Sequence, residues 1–182
     1  MRTVLLLLLA LALPACIIQA PTAEGSQPTG PGPRAGPAPA AEVRVGANFG
    51  DKVELVSAIL NPSRAVAGEP VHVILNFRVL DVPDRDWYLF VHIEDVDGRV
   101  ERYNVDHPPR AKPTSQWVKG EVVRDEFDIP VPPGLQVRGI NILLGFWDPK
   151  APDQRLVLRN KESVRNDGFN RILLAGIPVA QQ

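Results

Sequence analysis

Two stretches decide the architecture: PVHVILNFRVL, Pro70–Leu80, and WYLFVHIED, Trp87–Asp95. In the first, Val71, Val73, Leu75, Phe77 and Val79 fall on one face of an extended chain. His72, Asn76 and Arg78 fall on the other, with Ile74 and Leu80 as exceptions. In the second, Trp87, Leu89, Val91 and Ile93 repeat the pattern. Side chains alternate across a strand, so a period of two with one apolar stripe marks an antiparallel strand with one face on a core.

Working outward, KVELVSAIL precedes these strands, and RVERYNV, GEVVRDEFDI, INILLGFW, QRLVL and NRILLAGI come after them. Turn signals separate them: Asn61-Pro62, Ala67-Gly68, Asp97-Gly98, Pro108-Pro109, Pro132-Pro133-Gly134, Asp148-Pro149 and Asp167-Gly168. No helical stripe runs longer than two turns. The pattern predicts an all-β fold, an antiparallel β-sandwich of about eight strands, immunoglobulin-like or jelly-roll-like. The residues from Phe49 to about Val179 suffice for one such domain.

EDVDGRV, Glu94–Val100, has the opening of a calcium loop, which would need more oxygen ligands and a glutamate about twelve positions from its start; Asp106 lies near that place, but Pro108 follows and VERYNV reads as a strand. The expectation is a tight hairpin, with Asp97-Gly98 supplying the positive φ angles. The three histidines, His72, His92 and His107, stand in separate segments, and no H-x-x-x-H pair, nucleophile elbow or phosphate-cradling loop is present. His72 and His92 alternate with core positions and are placed on outer sheet faces, where they could meet only if their strands were adjacent. Asp125 and Glu126 are neighbours on a strand and so point to opposite faces, which argues against a joint acid–base role. The expectation is no catalytic residue, no metal and no cofactor.

The chain opens differently. Val4–Leu13 is an apolar run of about 15 Å as a helix, half a bilayer core, coming after Arg2 and ending in Leu13-Pro14-Ala15-Cys16. That is the layout of a cleaved export signal. The tetrad resembles the lipobox of bacterial lipoproteins, with Pro14 a less usual residue at its place. The resemblance implies that residues 1–15 are removed and that Cys16, the only cysteine, carries diacylglyceryl and acyl chains of the palmitate kind. Several chains anchor a protein firmly without crossing the bilayer. With Cys16 so used, the fold has neither disulfide nor cysteine-ligated metal. Ile17 lacks the aspartate that resembles an inner-membrane retention signal. The expected address is therefore the cell envelope, the outer membrane if the host has one.

Residues 16–47 read as a tether rich in Pro, Ala and Gly, spanning about 30 Å as a coil and about 90 Å if polyproline-like. Composition puts the sandwich at 48–182, although EVRV at the end of the tether also reads as an early strand. The 20 basic and 21 acidic side chains nearly balance, which gives no electrostatic case for nucleic acid.

LFVHIEDVDGRV (Leu89–Val100), PTSQWVKGEVVRDEFDIPVPPG (Pro113–Gly134) and ILLGFWDP (Ile142–Pro149) resemble the soluble β-sandwich module at the ends of some bacterial membrane-embedded glycosyltransferases. In that family the catalytic residues lie in the membrane part, so the resemblance implies an accessory role. The expected function is a membrane-anchored, non-catalytic binding or assembly module for an envelope glycan or protein partner. The alternative is an enzyme acting on envelope carbohydrate without a recognisable motif. Trp117 and Trp147 are the candidate ligand or loop-anchor residues: a displayed ring is a sugar platform, a packed one pins its loop. Trp117 lies in HPPRAKPTSQWVKGE, whose prolines keep it out of any central strand.

Overall fold

The computed structural model describes residues 38–180. Their core is built by the alternating stripes. Val71, Val73, Leu75, Phe77 and Val79 of one strand are buried, as are Leu89, Val91 and Ile93 of another. The strands are β1 (Ala41–Phe49), β2 (Val53–Asn61), β3 (Ala65–Val66), β4 (Val71–Val79), β5 (Tyr88–Asp95), β6 (Tyr103–Asn104), β7 (Val122–Ile129), β8 (Gly139–Asp148), β9 (Ala151–Arg155) and β10 (Ile172–Ala180).

One sheet has the order β1-β2-β4-β7. The other has the order β3-β10-β8-β5-β6, with β9 paired to β8 beyond the end of β10. Pairing is antiparallel except between β10 and β3. Eight strands run five residues or longer, and β3 and β6 are two-residue pairings. The chain is an all-β sandwich. Phe49, Phe77 and Phe146 fill the space between the sheets, with Phe146 ring centroids 5.3 and 5.6 Å from the other two. All described elements lie in one unit, Ala35–Gln182. Among the described residues, no helix is long and apolar enough to cross a membrane.

Three local expectations change. First, β1 begins at Ala41, so the sandwich takes in residues that composition assigns to the tether. Arg44 pairs with Ser57, Gly46 adopts a φ of +67° in a bulge, and Val43 and Val45 pack on the core. Second, Asp97-Gly98 is not a two-residue hairpin. Only Gly98 has positive φ, and β6 does not start until Tyr103. The Asp95 carboxylate accepts the amides of Asp97 and Arg99, and the Val96 amide donates to the Gly139 carbonyl, so the chain leaves the ladder there. Arg99 and Arg138 pair with Asp97, whose oxygens are thereby taken from any cation.

Third, the outer face of the second sheet is not wet. Phe90, His92 and Leu143 are all buried on it. The Phe90 ring lies where a Cβ on Gly145 would stand, at 2.4 Å, and the Asn170 carbonyl covers the same spot. Arg171 Nη1 donates to His92 Nδ1 and to Glu94 Oε1. Burial, and then Arg102, hold His92 below the usual imidazole range. His72 lies on the other sheet, half-exposed between Asp128 and Glu126, so the two histidines do not meet.

Val73 and Val91 are fully buried, on opposite sheets. Val73→Asp or Val91→Asp should cost several kcal/mol, about 3 or more, and unfold the domain. His72→Ala and Arg78→Ala should cost about 0.5 kcal/mol. Denaturant melts of the four variants check this, and equal tolerance at both pairs of sites would contradict the core.

Candidate functional site

The polar side chains that converge on open space come from two loops brought together by one strand pair. β5 and β8 run antiparallel with Tyr88 opposite Trp147. The residues just before β5 therefore lie beside those just after β8. This brings Asp84, Arg85, Asp86 and Tyr88 against Asp148, Pro149, Lys150 and Ala151, around a cleft of about 590 Å³. Ligand sites commonly span about 300–1,000 Å³.

Arg85 ties the two loops together. Its Nη2 donates to Asp84 at 2.9 Å, and its Nη1 to Asp148 at 3.0 Å. Asp148 also accepts the Lys150 amide at 2.8 Å, which shapes the turn into β9. Those hydrogen bonds, Arg85 first, hold the Asp148 carboxyl below its usual range. Asp86 is held low by the Ser115 hydroxyl and then the Ser115 amide, both donating to Oδ1. For Asp84, burial acts upward, but donation from Arg85 and Trp87 outweighs it and the net shift is downward. The Tyr88 ring stands edge-on to Trp147, centroids 6.1 Å apart at 84°.

A strap holds this cleft from behind. It is the Asp106–Lys119 connection, which crosses from the second sheet to the first. Asp106 accepts the Val91 amide, and His107 pairs with Leu89 in an isolated bridge. His107 Nε2 lies 2.9 Å from Asp125 Oδ2, and the Arg110 amide donates to Asp125 Oδ1. Farther along, the fully buried Thr114 hydroxyl accepts the Trp87 amide at 2.8 Å and donates to the Arg85 carbonyl at 2.9 Å. Thr114 and Ser115 thus brace the Arg85–Trp87 backbone and the Asp86 carboxylate, the latter on the cleft wall.

The candidate tryptophans differ in setting. Trp117 is 1% exposed, its ring centroid 5.6 Å from that of Phe77, and its Nε1 donates to the Lys112 carbonyl at 3.1 Å. That is the geometry of a loop anchor, and no face of the ring is left for a sugar. Trp147 is on the outer face, partly buried, its Nε1 shielded and without a partner among the described residues. The two do not share a patch. Cys16 lies outside the described residues. Asp125 is buried and Glu126 exposed, on opposite faces. Among the described residues, no group of three or more histidine, cysteine or acidic side chains is arranged to hold a metal ion.

Sequence reading missed Asp84, Arg85, Asp86, Tyr88 and Lys150. The signal was present in PDRDWY and DPK, charged clusters abutting aromatic strand ends, but Asp148-Pro149 reads there only as a turn. A second cleft of about 450 Å³, lined by Pro70, Tyr103, Pro130, Val131 and Pro132 among others, is apolar and offers little to orient a ligand.

No family model and no curated protein matches the chain. Among solved structures, the crystal structure of the C-terminal domain of wzt is similar, with a TM-score of 0.42 and 14% identity over 79% of each chain.

The strap and the carboxylates each set a measurable outcome. Trp117→Ala should lower stability by about 3 kcal/mol or more, read by thermal or denaturant melts. A loss under about 0.5 kcal/mol would contradict the anchoring role. Asp86 and Asp148 have folded pKa values below their ordinary 3.8. Their contribution to stability is therefore complete above that value and is lost as pH falls through the folded values. Melting midpoints of Asp86→Asn and Asp148→Asn should lie below the parent at pH 7 and converge on it in acid.

Proposed function

We propose that the chain is a lipid-anchored, non-catalytic module of the cell envelope that binds a glycan or protein partner in the cleft at the Tyr88 end of β5. The observation that carries this reading is the hydrogen bonding of the cleft carboxylates, Asp84 and Asp148 to Arg85 and Asp86 to Ser115. Asp84, Asp86 and Asp148 are each held below the ordinary carboxyl value by hydrogen bonds. A general acid working near neutral pH needs a carboxyl raised towards pH 6 or 7, and the environment here pushes the other way. What the cleft offers is fixed acceptors, one fixed cation in Arg85, the ammonium of Lys150 and an aromatic ring, which are the means of recognition.

The address rests on Leu13-Pro14-Ala15-Cys16, whose lipobox-like order supports lipid on Cys16. Acyl chains there would hold the module at the membrane, outer if the host has one, and residues 17–40 would give it reach. Cys16→Ser should move the protein from the membrane fraction to the soluble exported fraction on cell fractionation. A variant as membrane-bound as the parent refutes the anchor. The binding role is checked by screening the intact protein against envelope glycans, with Tyr88→Ala as the control for the cleft. Turnover of any glycan that binds would make the chain an enzyme and overturn the non-catalytic reading.

A further inference from the structure

Resting on the reading of the cleft as a binding site, the balance of charge around it narrows the ligand. Arg85 is answered twice, by Asp84 and by Asp148. Its charge is thus committed to the wall and is not available to neutralise a ligand. Asp86 uses Oδ1 for both Ser115 contacts, and no donor is seen on Oδ2. Lys150 forms no ion pair among the described residues and lines the same cleft as Asp86. Three carboxylates therefore line the cleft against two cations, and the groups still open are one carboxylate oxygen, one ammonium and the Tyr88 side chain.

We infer that the cleft takes an uncharged pyranose and discriminates against sugars bearing carboxylates. A negative substituent reaching Lys150 also meets a cleft in which carboxylates outnumber cations three to two. A positive substituent reaching Asp86 meets Lys150. A neutral sugar meets both at no such cost: one hydroxyl donates to Asp86 Oδ2 and another accepts from Lys150 Nζ. An aromatic ring offers an apolar face to the C–H groups of the pyranose, and Tyr88, edge-on to Trp147, is the ring that lines the cleft. Pro149 and Ala151 complete an apolar part of the wall. Asp86 is the orienting acceptor, Lys150 the orienting donor and Tyr88 the platform.

The test is isothermal titration calorimetry of the detergent-solubilised full chain. The probes are neutral gluco-, manno- and galacto-tetraoses and their uronate counterparts. At least one neutral tetraose should bind, with a Kd that changes less than about twofold between roughly 50 and 500 mM NaCl, since no net charge pairing is involved. Its uronate should bind at least about tenfold more weakly. Tyr88→Ala should abolish binding, and Asp86→Asn should weaken the neutral sugar while narrowing the gap to the uronate, with melting midpoints confirming that both variants fold. Uronates binding more tightly than neutral sugars, with salt weakening them and Lys150→Ala removing them, would overturn this inference and leave the binding reading standing. If no tetraose of either kind binds, the inference and the glycan reading of the cleft both fall.

Discussion

A carboxylate inside the sandwich governs how the rest is arranged. Asp125 falls on the inward stripe of β7, between Val123 and Phe127, and has no solvent exposure. A buried charge is tolerated only when it is paired and hydrogen-bonded. Its partners, the His107 ring and the Arg110 amide, both come from the strap, which reaches it from the second sheet. His107 is itself held at Nδ1 by the Val105 carbonyl and packs its ring 4.5 Å from Phe127. The strap passes over β7 and there supplies both hydrogen-bond partners seen on the Asp125 side chain.

That crossing fixes the path of the chain beyond it. Downstream of Arg110 the strap has few places to go. Lys112 pairs with Glu121, Trp117 closes over Phe77, and Thr114 lies against the backbone of Arg85 and Trp87. The hydrophobic contribution of Trp117 and the hydrogen bonds of Thr114 act on the same short segment. One anchors the strap to the first sheet, and the other passes that rigidity to the cleft wall. A wall held in this way does not have to be ordered when a ligand arrives, so less of the interaction energy is lost to freezing loops. This makes the cleft a preformed surface.

The strands were legible where one face is buried and the other wet. β4 and β7 show the period of two almost without fault, because their outer faces carry His72, Asn76, Arg78, Arg124, Glu126 and Asp128 in water. β5 and β8 break the pattern at Phe90 and Leu143, and the break had a cause: the segment between β9 and β10 lies over that face. An exception to alternation was therefore a sign of a second covered face, although it reads locally as noise. Trp117 was legible as a packing residue from the prolines around it, whereas its partner Phe77 was not, since no periodicity links a loop to the strand it crosses.

The cleft was illegible for a different reason. Asp84 and Asp148 are far apart in sequence, and each alone looks like an ordinary turn residue. They meet because β5 pairs with β8 in a register that puts Tyr88 opposite Trp147. Shifting that register by one residue would carry Tyr88 into the core and Leu89 out of it, so the apolar stripe that makes the strand also sets which loops meet at its end. The core pattern and the cleft are thus two consequences of one pairing. The chemistry of the cleft depends on which charged residues happen to stand just beyond the buried stripes of two neighbouring strands, information that becomes readable only once the strand order is known.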